Sequence, residues 1–225
     1  DVAGERVVGS AGGTREPLDP VRFLGNRSSG RQGWALAAAA VARGAHVDVV
    51  SANVDLPDPA GANVVSVGTG EELHKAVLEL SGAADVVIMA AAVADFRPDH
   101  VSKGKIKKTD DDSVPHISLV RTVDVLAELG TSGGDRPLLV GFAAETVDPG
   151  PQLVGLAAHK LASKGADLIV ANSVGVDRGF ESAVNAVTIV SASGVERDIP
   201  STSKAGIANA VWDVVLQHLP RAGDQ

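Results

Sequence analysis

Short apolar runs rich in valine and isoleucine recur along the chain, and longer stretches with helical spacing lie between them. Strands covered on both faces carry such continuous β-branched runs, so the runs predict strands at residues 6–10, 46–51, 85–90, 137–142, 167–171 and 186–190. The longer stretches predict helices at residues 34–43, 70–80, 123–129, 151–164 and 203–219. Strands that alternate with helices pair in parallel through right-handed crossovers. We therefore expect an α/β fold with a doubly wound, mainly parallel sheet and helices on both faces.

One segment, residues 97–120, breaks this alternation between the third and fourth predicted strands. It carries a run of lysines, then three aspartates at 110–112, and then an alternating run at 114–120; the lysines are Lys103, Lys105, Lys107 and Lys108. Long loops in compact domains are usually functional or disordered. We interpret the segment as a mobile flap that contains a β-hairpin or an added strand. We expect residues 1–225 to form a single domain around it.

The composition narrows the function classes. The absence of cysteine excludes disulfides, thiolate metal sites and a cysteine nucleophile. The net charge of -8 disfavours nucleic acid as a partner, because binding to its backbone requires clustered lysine and arginine. No apolar run approaches the roughly 20 residues of a membrane span. We therefore expect a cytoplasmic protein that binds neither nucleic acid nor membrane.

The connection at residues 12–33 has far more hydrogen-bonding side chains than a linker requires. Its glycine turn lacks the G-x-G-x-x-G spacing of a dinucleotide site, but free backbone N–H groups beside a helix N-terminus suit an anion. Arginines could clamp a phosphate or a carboxylate there. The alternative is a structural ion-pair cluster of Arg15, Glu16, Asp19 and Arg22. The candidate anion-binding residues are Gly12, Gly13, Thr14, Arg15, Arg22, Asn26, Ser28, Ser29 and Gly30.

Asn26 is the candidate catalytic residue of this connection. A neutral amide can donate a hydrogen bond to an oxygen that gains negative charge in a transition state. The alternative is a structural role in a helix cap or an Asx turn. Ser28 and Ser29 are better placed to cap the following helix, so capping does not require Asn26.

Small and polar residues follow the third, fourth and fifth predicted strands, where ligand loops of a parallel sheet lie. Asp95 could bind a base, a ribose or magnesium, or it could cap a helix. Phe142 could stack on a base or belong to the core, and Asn172 could contact a ligand or cap a loop. Lys160 and Lys164 share a helix face, and with the flap lysines they suggest a polyphosphate site rather than a solvated charge run.

Three function classes compete. A nicotinamide-dependent reductase suits the alternating pattern, but the chain has no tyrosine for the usual Tyr-x-x-x-Lys pair. A non-catalytic nucleotide-binding module explains the sheet but not the concentration of arginine, asparagine and lysine. A ligase or nucleotidyl transferase would bind a nucleoside triphosphate and a second, phosphorylated substrate. Two anionic ligands would account for two separate sets of cationic residues.

Six motifs, in chain order, closely resemble the phosphopantothenate-cysteine ligase family of coenzyme A biosynthesis. They are GTREPLDPVR at 13–22, NRSSG at 26–30, AAAVAD at 90–95, KIKK at 105–108, GFAAET at 141–146 and DLIVAN at 167–172. The resemblance covers essentially the whole chain and implies a Rossmann-like sheet. In bacteria this domain usually follows a flavin-dependent decarboxylase domain. That domain and its flavin are absent here, so we expect the chain, which begins at Asp1, to be part of a longer polypeptide.

The resemblance also implies the chemistry. CTP would activate the carboxylate of 4'-phosphopantothenate as an acyl-cytidylate, and L-cysteine would then displace CMP. Asn26 and Lys105 would be catalytic, and the 12–30 residues above would bind the acyl substrate. Magnesium is expected on the triphosphate, with its protein ligands left open, and a homodimer is expected in which the flap or opening connection helps complete the neighbouring site. The implied nucleotide contacts are Ala94, Asp95, Phe96, Lys105, Arg121, Thr122, Val123, Phe142, Lys160 and Lys164.

Overall fold

The computed structural model describes residues 1–107, 114–133, 136–174 and 184–219. Its strands are β1 (Arg6–Gly12), β2 (Arg15–Asp19), β3 (Arg22–Gly25), β4 (His46–Ala52), β5 (Asn63–Val67), β6 (Val86–Met89), β7 (Phe96–Pro98), β8 (Leu119–Arg121), β9 (Leu138–Glu145), β10 (Leu168–Ser173), β11 (Val184–Ser191) and β12 (Gly194–Ser203). Its helices are α1 (Arg31–Ala42), α2 (Gly70–Ser81), α3 (Val125–Thr131), α4 (Pro151–Lys164) and α5 (Lys204–His218).

Eight of these strands form one sheet in the order β12-β11-β10-β9-β6-β1-β4-β5. The strands from β5 to β10 in this order pair in parallel, whereas β11 and β12 add an antiparallel edge. The chain moves outwards from β1 through β4 to β5, then returns to β6 on the other side of β1. This reversal creates a switch point between β1 and β6. Ligands of α/β proteins bind outside the carboxyl ends of the strands at such a point.

Helices cover both faces of the sheet. Helices α1 and α5 pack on one face, where Trp34 and Trp212 join the core. Helices α2, α3 and α4 cover the other face through side chains such as Leu73, Leu126 and Leu153. The predicted fold class, a doubly wound and mainly parallel α/β sheet, is confirmed.

Two strands of the sheet, β5 and β12, were not predicted from the sequence. Both lie at the edges of the sheet. Polar residues interrupt the apolar ones in both, and neither strand is a fully buried run. An edge strand is solvated along one side, so it carries a weaker hydrophobic signal than a central parallel strand.

The connection at residues 12–33 contains a β-hairpin that was not predicted either. Strands β2 and β3 pair antiparallel, and all four residues of β3 are exposed. A fully exposed strand has no burial pattern to reveal it in the sequence. Arg15, Glu16, Asp19 and Arg22 therefore belong to this hairpin, whereas Asn26, Ser28 and Ser29 lie in the loop between it and α1.

The flap segment begins and ends in a short antiparallel ribbon, in which β7 pairs with β8. The flap was expected to contain a hairpin or an added strand, and strands are present only at the base of the flap, where β7 and β8 pair. The strand in the alternating run begins at Leu119 instead of residue 114. Lys108 and the aspartates at 110–112 lie outside the described residues. The mobility of the flap stays a prediction.

Candidate functional site

Two adjoining clefts lie at the carboxyl ends of the parallel strands. The loop cleft, with a volume of about 390 Å³, is lined by Asn26, residues 28–33 before and within α1, residues 90–93 after β6, and residues from β9 to α5. The ribbon cleft, of about 520 Å³, is lined by residues 93–96, residues 121–126 and side chains of α4. Residues that follow β6 line the loop cleft, and one of them, Ala92, donates its amide to the Gly12 carbonyl oxygen at the end of β1. The loop cleft therefore lies beside the switch point of the sheet.

The two clefts share one wall. Asp95, Phe142 and Lys160 line both of them, together with the small residues Ala91 and Val93. Lys160 is half-buried, and no carboxylate pairs with it among the described residues. The shared wall therefore offers a carboxylate, an aromatic ring and a free cation to ligands on either side.

The ribbon cleft collects nine of the ten residues that the family resemblance assigns to the nucleotide. They reach it from four separate places in the chain, because the ends of β6 and β9, the end of β8 and the helix α4 meet at one edge of the sheet. The nine are Ala94, Asp95, Phe96, Arg121, Thr122, Val123, Phe142, Lys160 and Lys164. The tenth, Lys105, is exposed and lines neither cleft.

Backbone contacts hold the ribbon against the end of β6. The Thr122 amide donates to the Asp95 carbonyl oxygen at 3.0 Å, and the Thr122 hydroxyl donates to the Ala94 carbonyl oxygen. Asp124 caps α3 by accepting from the Ala127 amide at 3.0 Å and forms an ion pair with Lys164. Asp124, which lies between β8 and α3, thus orients Lys164 in the lining of the ribbon cleft. Asp95 caps no helix in the described ranges, contrary to the structural alternative.

Asn26 lies where the loop cleft approaches the shared wall. Its Nδ2 donates to the Val93 carbonyl oxygen at 3.2 Å, and Val93 lines both clefts. This hydrogen bond uses one of the two N–H groups of the amide. The second N–H group is left for a ligand at the junction of the clefts, as a donor to developing negative charge requires.

Helix α1 starts at Arg31 without a side-chain cap. Its N-cap residue is Gly30, in the left-handed region at φ 76°, so the expectation that Ser28 or Ser29 caps the helix is wrong. A Cβ on Gly30 would meet Val54 Cγ2 at 2.6 Å, which explains why glycine occupies the turn. Because no side chain accepts from the first backbone N–H groups of α1, they stay available to an anion in the loop cleft.

The glycine turn before the hairpin shapes the site without lining it. Gly12, at φ 87°, has no room for a side chain, since a Cβ would meet the Ala52 carbonyl oxygen at 2.0 Å. The Gly13 amide donates to the same oxygen, and the buried Thr14 hydroxyl accepts from the Ala94 amide at 2.9 Å. None of the three residues lines either cleft. Their contacts fix the start of the hairpin against the strand ends.

The charged side chains of the hairpin are engaged with the protein. Arg22 Nε and Nη2 both donate to Asp19 Oδ2, at 2.9 and 2.6 Å, and Nη2 also donates to the Ile106 carbonyl oxygen. Arg15 lies over the ring of Phe23 at 4.9 Å, and the buried Glu16 accepts from the Gly70 amide at 2.9 Å. The structure brings neither arginine into a cleft. Of the predicted ion-pair cluster, the structure shows the pair of Arg22 with Asp19, whereas Arg15 stacks on Phe23 and Glu16 accepts from a backbone amide. The structural alternative is therefore met in part, and a part for Arg15 and Arg22 in binding stays a prediction.

Asp19 ties the flap to the hairpin. Its buried carboxylate accepts from the amides of Val21, Arg22 and Ile106 at 2.9 to 3.1 Å. Burial by itself raises the pKa of this carboxyl, but the Val21 and Ile106 amides and the Arg22 guanidinium together lower it to about 2. Lys105, next to Ile106, is thereby held beside the hairpin. A catalytic role for Lys105 stays a prediction.

Four polar residues that line the loop cleft are not among the site residues predicted from the sequence. Gln32 and Asn185 are neutral, and Arg31 and Lys204 are cations at the first positions of α1 and α5. The helix dipole disfavours a cation at that position, which is the signal that could have marked these two residues. Asn172, at the end of β10, does line this cleft as one of its two predicted roles requires.

The described residues contain no group of three or more His, Asp or Glu side chains that could hold a metal ion. No helix in the described ranges is long and apolar enough to cross a membrane. Asp95 and Asp124 are the carboxylates that line the ribbon cleft, and Asp124 is already paired with Lys164.

The chain has extensive similarity to known proteins. It is 45% identical over 225 residues to the coenzyme A biosynthesis bifunctional protein CoaBC of Mycolicibacterium smegmatis, a match that covers 97% of this chain and 54% of the relative. It is also 45% identical over 224 residues to CoaBC of Bacillus subtilis, covering 99% of this chain and 53% of that protein. The chain thus spans about half the length of the curated relatives it matches.

Solved structures agree with these matches. The crystal structure of the C-terminal domain of CoaBC superposes with a TM-score of 0.79 at 37% identity, covering 96% of each chain. A Cab2 mutant in complex with phosphopantothenate-cysteine shares the fold, with a TM-score of 0.73 at 18% identity over 95% of this chain and 88% of that one. Residues 2–219 match the profile of a single family. The family resemblance seen in the six motifs is confirmed, and the chain belongs to the DNA/pantothenate metabolism flavoprotein C-terminal domain family.

Proposed function

We propose that this chain joins 4'-phosphopantothenate to L-cysteine in coenzyme A biosynthesis, consuming CTP. The observation that carries the proposal is the pair of clefts with a shared wall, one rich in nucleotide-type contacts and the other built around a free helix N-terminus. Relatives of the chain are named for coenzyme A biosynthesis. A protein of the same fold was solved with phosphopantothenate-cysteine, the product that this reaction would form.

In the first step the substrate carboxylate attacks the α-phosphorus of CTP, and the bond to pyrophosphate breaks. The product is an acyl-cytidylate that spans both clefts. Lys160 in the shared wall stabilises the negative charge that accumulates around the α-phosphorus. Asn26 holds the acyl group from the other side through its free amide N–H.

In the second step the neutral amine of cysteine attacks the acyl carbon. The carbonyl oxygen gains negative charge, and it accepts the hydrogen bond that Asn26 offers. The bond to CMP then breaks, the amine loses its proton, and the amide is formed. Activation by CTP is needed because a free carboxylate is a poor electrophile.

We propose that the nucleotide occupies the ribbon cleft. Phe142 would stack on the base, and Asp95 would accept hydrogen bonds from the base or the ribose. Lys160, Lys164 and Arg121 supply positive charge to the phosphates, and Lys164 would exchange Asp124 for a phosphate oxygen. The exchange is feasible because half-buried and exposed ion pairs contribute little to stability.

Magnesium fits this arrangement as an ion held mainly by the triphosphate. Magnesium in nucleotide sites is usually bound through one or two carboxylates and the phosphates, and Asp95 is a carboxylate at the shared wall without an ion-pair partner among the described residues. When bound, the ion would neutralise charge on the leaving pyrophosphate. The described residues otherwise provide no dedicated cage for it.

Pyrophosphate release tests the proposal. The protein is incubated with CTP, ATP, GTP or UTP and magnesium, with and without 4'-phosphopantothenate. We expect release only when the acid is present, and fastest with CTP. A nicotinamide-dependent reductase or a passive nucleotide-binding module would release none, and that result would remove the ligase proposal.

A further inference from the structure

The Thr14 hydroxyl is a fully buried polar group that lies outside both clefts. The exposed fraction of Thr14 is 0%, and the residue lines neither the loop cleft nor the ribbon cleft. Its hydroxyl accepts a hydrogen bond from the amide of Ala94 at 2.9 Å, and Ala94 is a buried residue of the ribbon cleft. Burying a hydroxyl is unfavourable unless it is hydrogen-bonded. Thr14 therefore acts on the site through the backbone of Ala94.

A second threonine holds the same residue from the other side. The Thr122 hydroxyl donates to the Ala94 carbonyl oxygen, and the Thr122 amide donates to the Asp95 carbonyl oxygen at 3.0 Å. Both backbone polar groups of Ala94 are thus held by threonine hydroxyls from two different parts of the chain. The peptide bond that leads to Asp95 is planar, so fixing Ala94 restricts where the exposed Asp95 side chain can lie in the shared wall.

Thr14 is itself held firmly in place. Its amide donates to the Ala92 carbonyl oxygen at 3.2 Å. The carbonyl oxygen of the preceding residue, Gly13, accepts from Asn53 Nδ2 at 3.0 Å, and the same nitrogen donates to the Gly68 carbonyl oxygen at 2.8 Å. Asn53 stands in the left-handed region at φ 52°, where a residue other than glycine is uncommon and is kept only by its surroundings. The Thr14 hydroxyl is therefore an acceptor at a fixed position.

The first part of the segment after β6 has supports of its own. The Ala91 amide donates to the buried Ser10 hydroxyl at 3.1 Å, and the Ala92 amide donates to the Gly12 carbonyl oxygen at 2.8 Å. Loss of the Thr14 hydroxyl would leave these contacts in place and would release the residues that follow. Those residues, 94–96, belong to the ribbon cleft. The effect should therefore fall on the ligand of that cleft.

We propose that Thr14 is a positioning residue for the nucleotide, because its hydroxyl fixes the Ala94 peptide and thereby holds Asp95 ready for the base or the ribose. This assignment rests on the proposed ligase function. Thr14 touches neither substrate. Its contact orders the segment before the nucleotide arrives, so binding does not have to supply the free energy of that ordering.

The test is Thr14→Val, which removes the acceptor and leaves the Ala94 amide buried without a partner. We expect KM for CTP to rise about tenfold or more, whereas kcat and the KM values for 4'-phosphopantothenate and cysteine should change less than about threefold. Thr14→Ser keeps the hydroxyl and should restore KM for CTP. Thr188→Val is the matched control, because the buried Thr188 hydroxyl donates to Asp198 at 2.6 Å and the residue lines neither cleft. It should lower the melting temperature and leave KM for CTP unchanged.

An unchanged KM for CTP in Thr14→Val would overturn the proposal, and so would an equal rise for all three substrates or an equal rise in Thr188→Val. If Thr14→Val does not fold, Thr14→Ala removes the same acceptor without adding an apolar group. Titration calorimetry with CTP separates this proposal from the ligase activity. If no nucleotide supports pyrophosphate release, the ligase proposal fails, yet CTP binding that is weakened in Thr14→Val and kept in Thr14→Ser would still support the positioning role. Equal CTP binding by wild type and Thr14→Val, or no binding by wild type, would remove it.

Discussion

At the scale of single residues, the site depends on which polar groups are already satisfied by the protein. Arg22 donates through Nε and Nη2 to Asp19 and to the Ile106 carbonyl oxygen, so this edge of its guanidinium already has structural partners. Asn26 makes one hydrogen bond with one of its two amide N–H groups. A group with unused donors can respond to charge that develops in a reaction, whereas a saturated group mainly stabilises the fold.

Asn26→Asp tests the catalytic role of the amide. A carboxylate repels the negative charge that the amide would stabilise, so we expect pyrophosphate release and ligation to slow by about 100-fold or more. The melting temperature should stay close to that of wild type, because the side chain is exposed. Asn209→Asp, an exposed change on α5, serves as the control. Unchanged turnover in Asn26→Asp would refute the role.

The lowered pKa of Asp19 predicts that the folded protein loses stability at acidic pH. The pKa of Asp19 is lowered from 3.8 to about 2 in the folded protein. The ionised carboxylate therefore stabilises the fold at pH values above its pKa in the unfolded chain, and this stabilisation is lost as the pH falls towards its pKa in the folded protein. We expect the urea midpoint of wild type to fall between about pH 4 and pH 2. Asp19→Asn should be less stable at neutral pH and should show a shallower fall over that interval. Parallel pH profiles of the two proteins would contradict the assignment.

At the scale of elements, the start of α1 is the most constrained part of the site. Gly30 combines a left-handed backbone with contact to Val54, and it leaves the helix without a side-chain cap. Because the turn provides no side-chain cap, the first backbone N–H groups of α1 stay open towards the loop cleft. The apolar pattern predicts a later helix start, at residue 34, with a serine cap, since serine is a common N-cap residue.

Gly30→Ala should destabilise the protein by about 1–2 kcal/mol or more, since an L-residue is strained in the left-handed region and its Cβ would also clash with Val54. The measurement is the free energy of unfolding in urea. Gly82→Ala is the matched control, because Gly82 has φ -63° and a Cβ there meets nothing within 4 Å. That change should be neutral or slightly stabilising. Equal losses in the two variants would show that the left-handed turn is not the cause.

At the scale of the whole molecule, the hairpin and the ribbon present an apolar surface to solvent. Val21 is 61% exposed and Phe23 is 52% exposed, and Phe96 and Leu119 of the ribbon are exposed as well. Hydrogen bonds from Ser102 and Ile106 hold the flap to this hairpin. Exposed apolar clusters of this kind often mark protein interfaces. We propose that this surface forms the homodimer, with the flap and Lys105 of one copy reaching towards the site of the other.

Phe23→Glu tests the dimer. Burying a carboxylate in an apolar interface without a partner is unfavourable, so we expect sedimentation velocity to show a dimer for wild type and a monomer for the variant. Ligase turnover should fall with the loss of the dimer. Val195→Glu, an exposed change on the edge strand β12, should leave the dimer intact. A monomeric wild type at micromolar concentration would exclude the proposal.

The sequence by itself determined the succession of the central strands and helices along the chain, because buried parallel strands carry continuous apolar runs. Its six motifs also determined the family, and the resemblance to that family supplied most residues of the ribbon cleft. The hairpin, the engagement of Arg22 and the contact of Gln32 with Lys204 were decided only by the tertiary structure. Gln32 and Lys204 are 172 residues apart in the sequence. A local sequence pattern does not indicate which helix N-termini lie side by side or which charged side chains form ion pairs, because these contacts depend on the packing of distant elements.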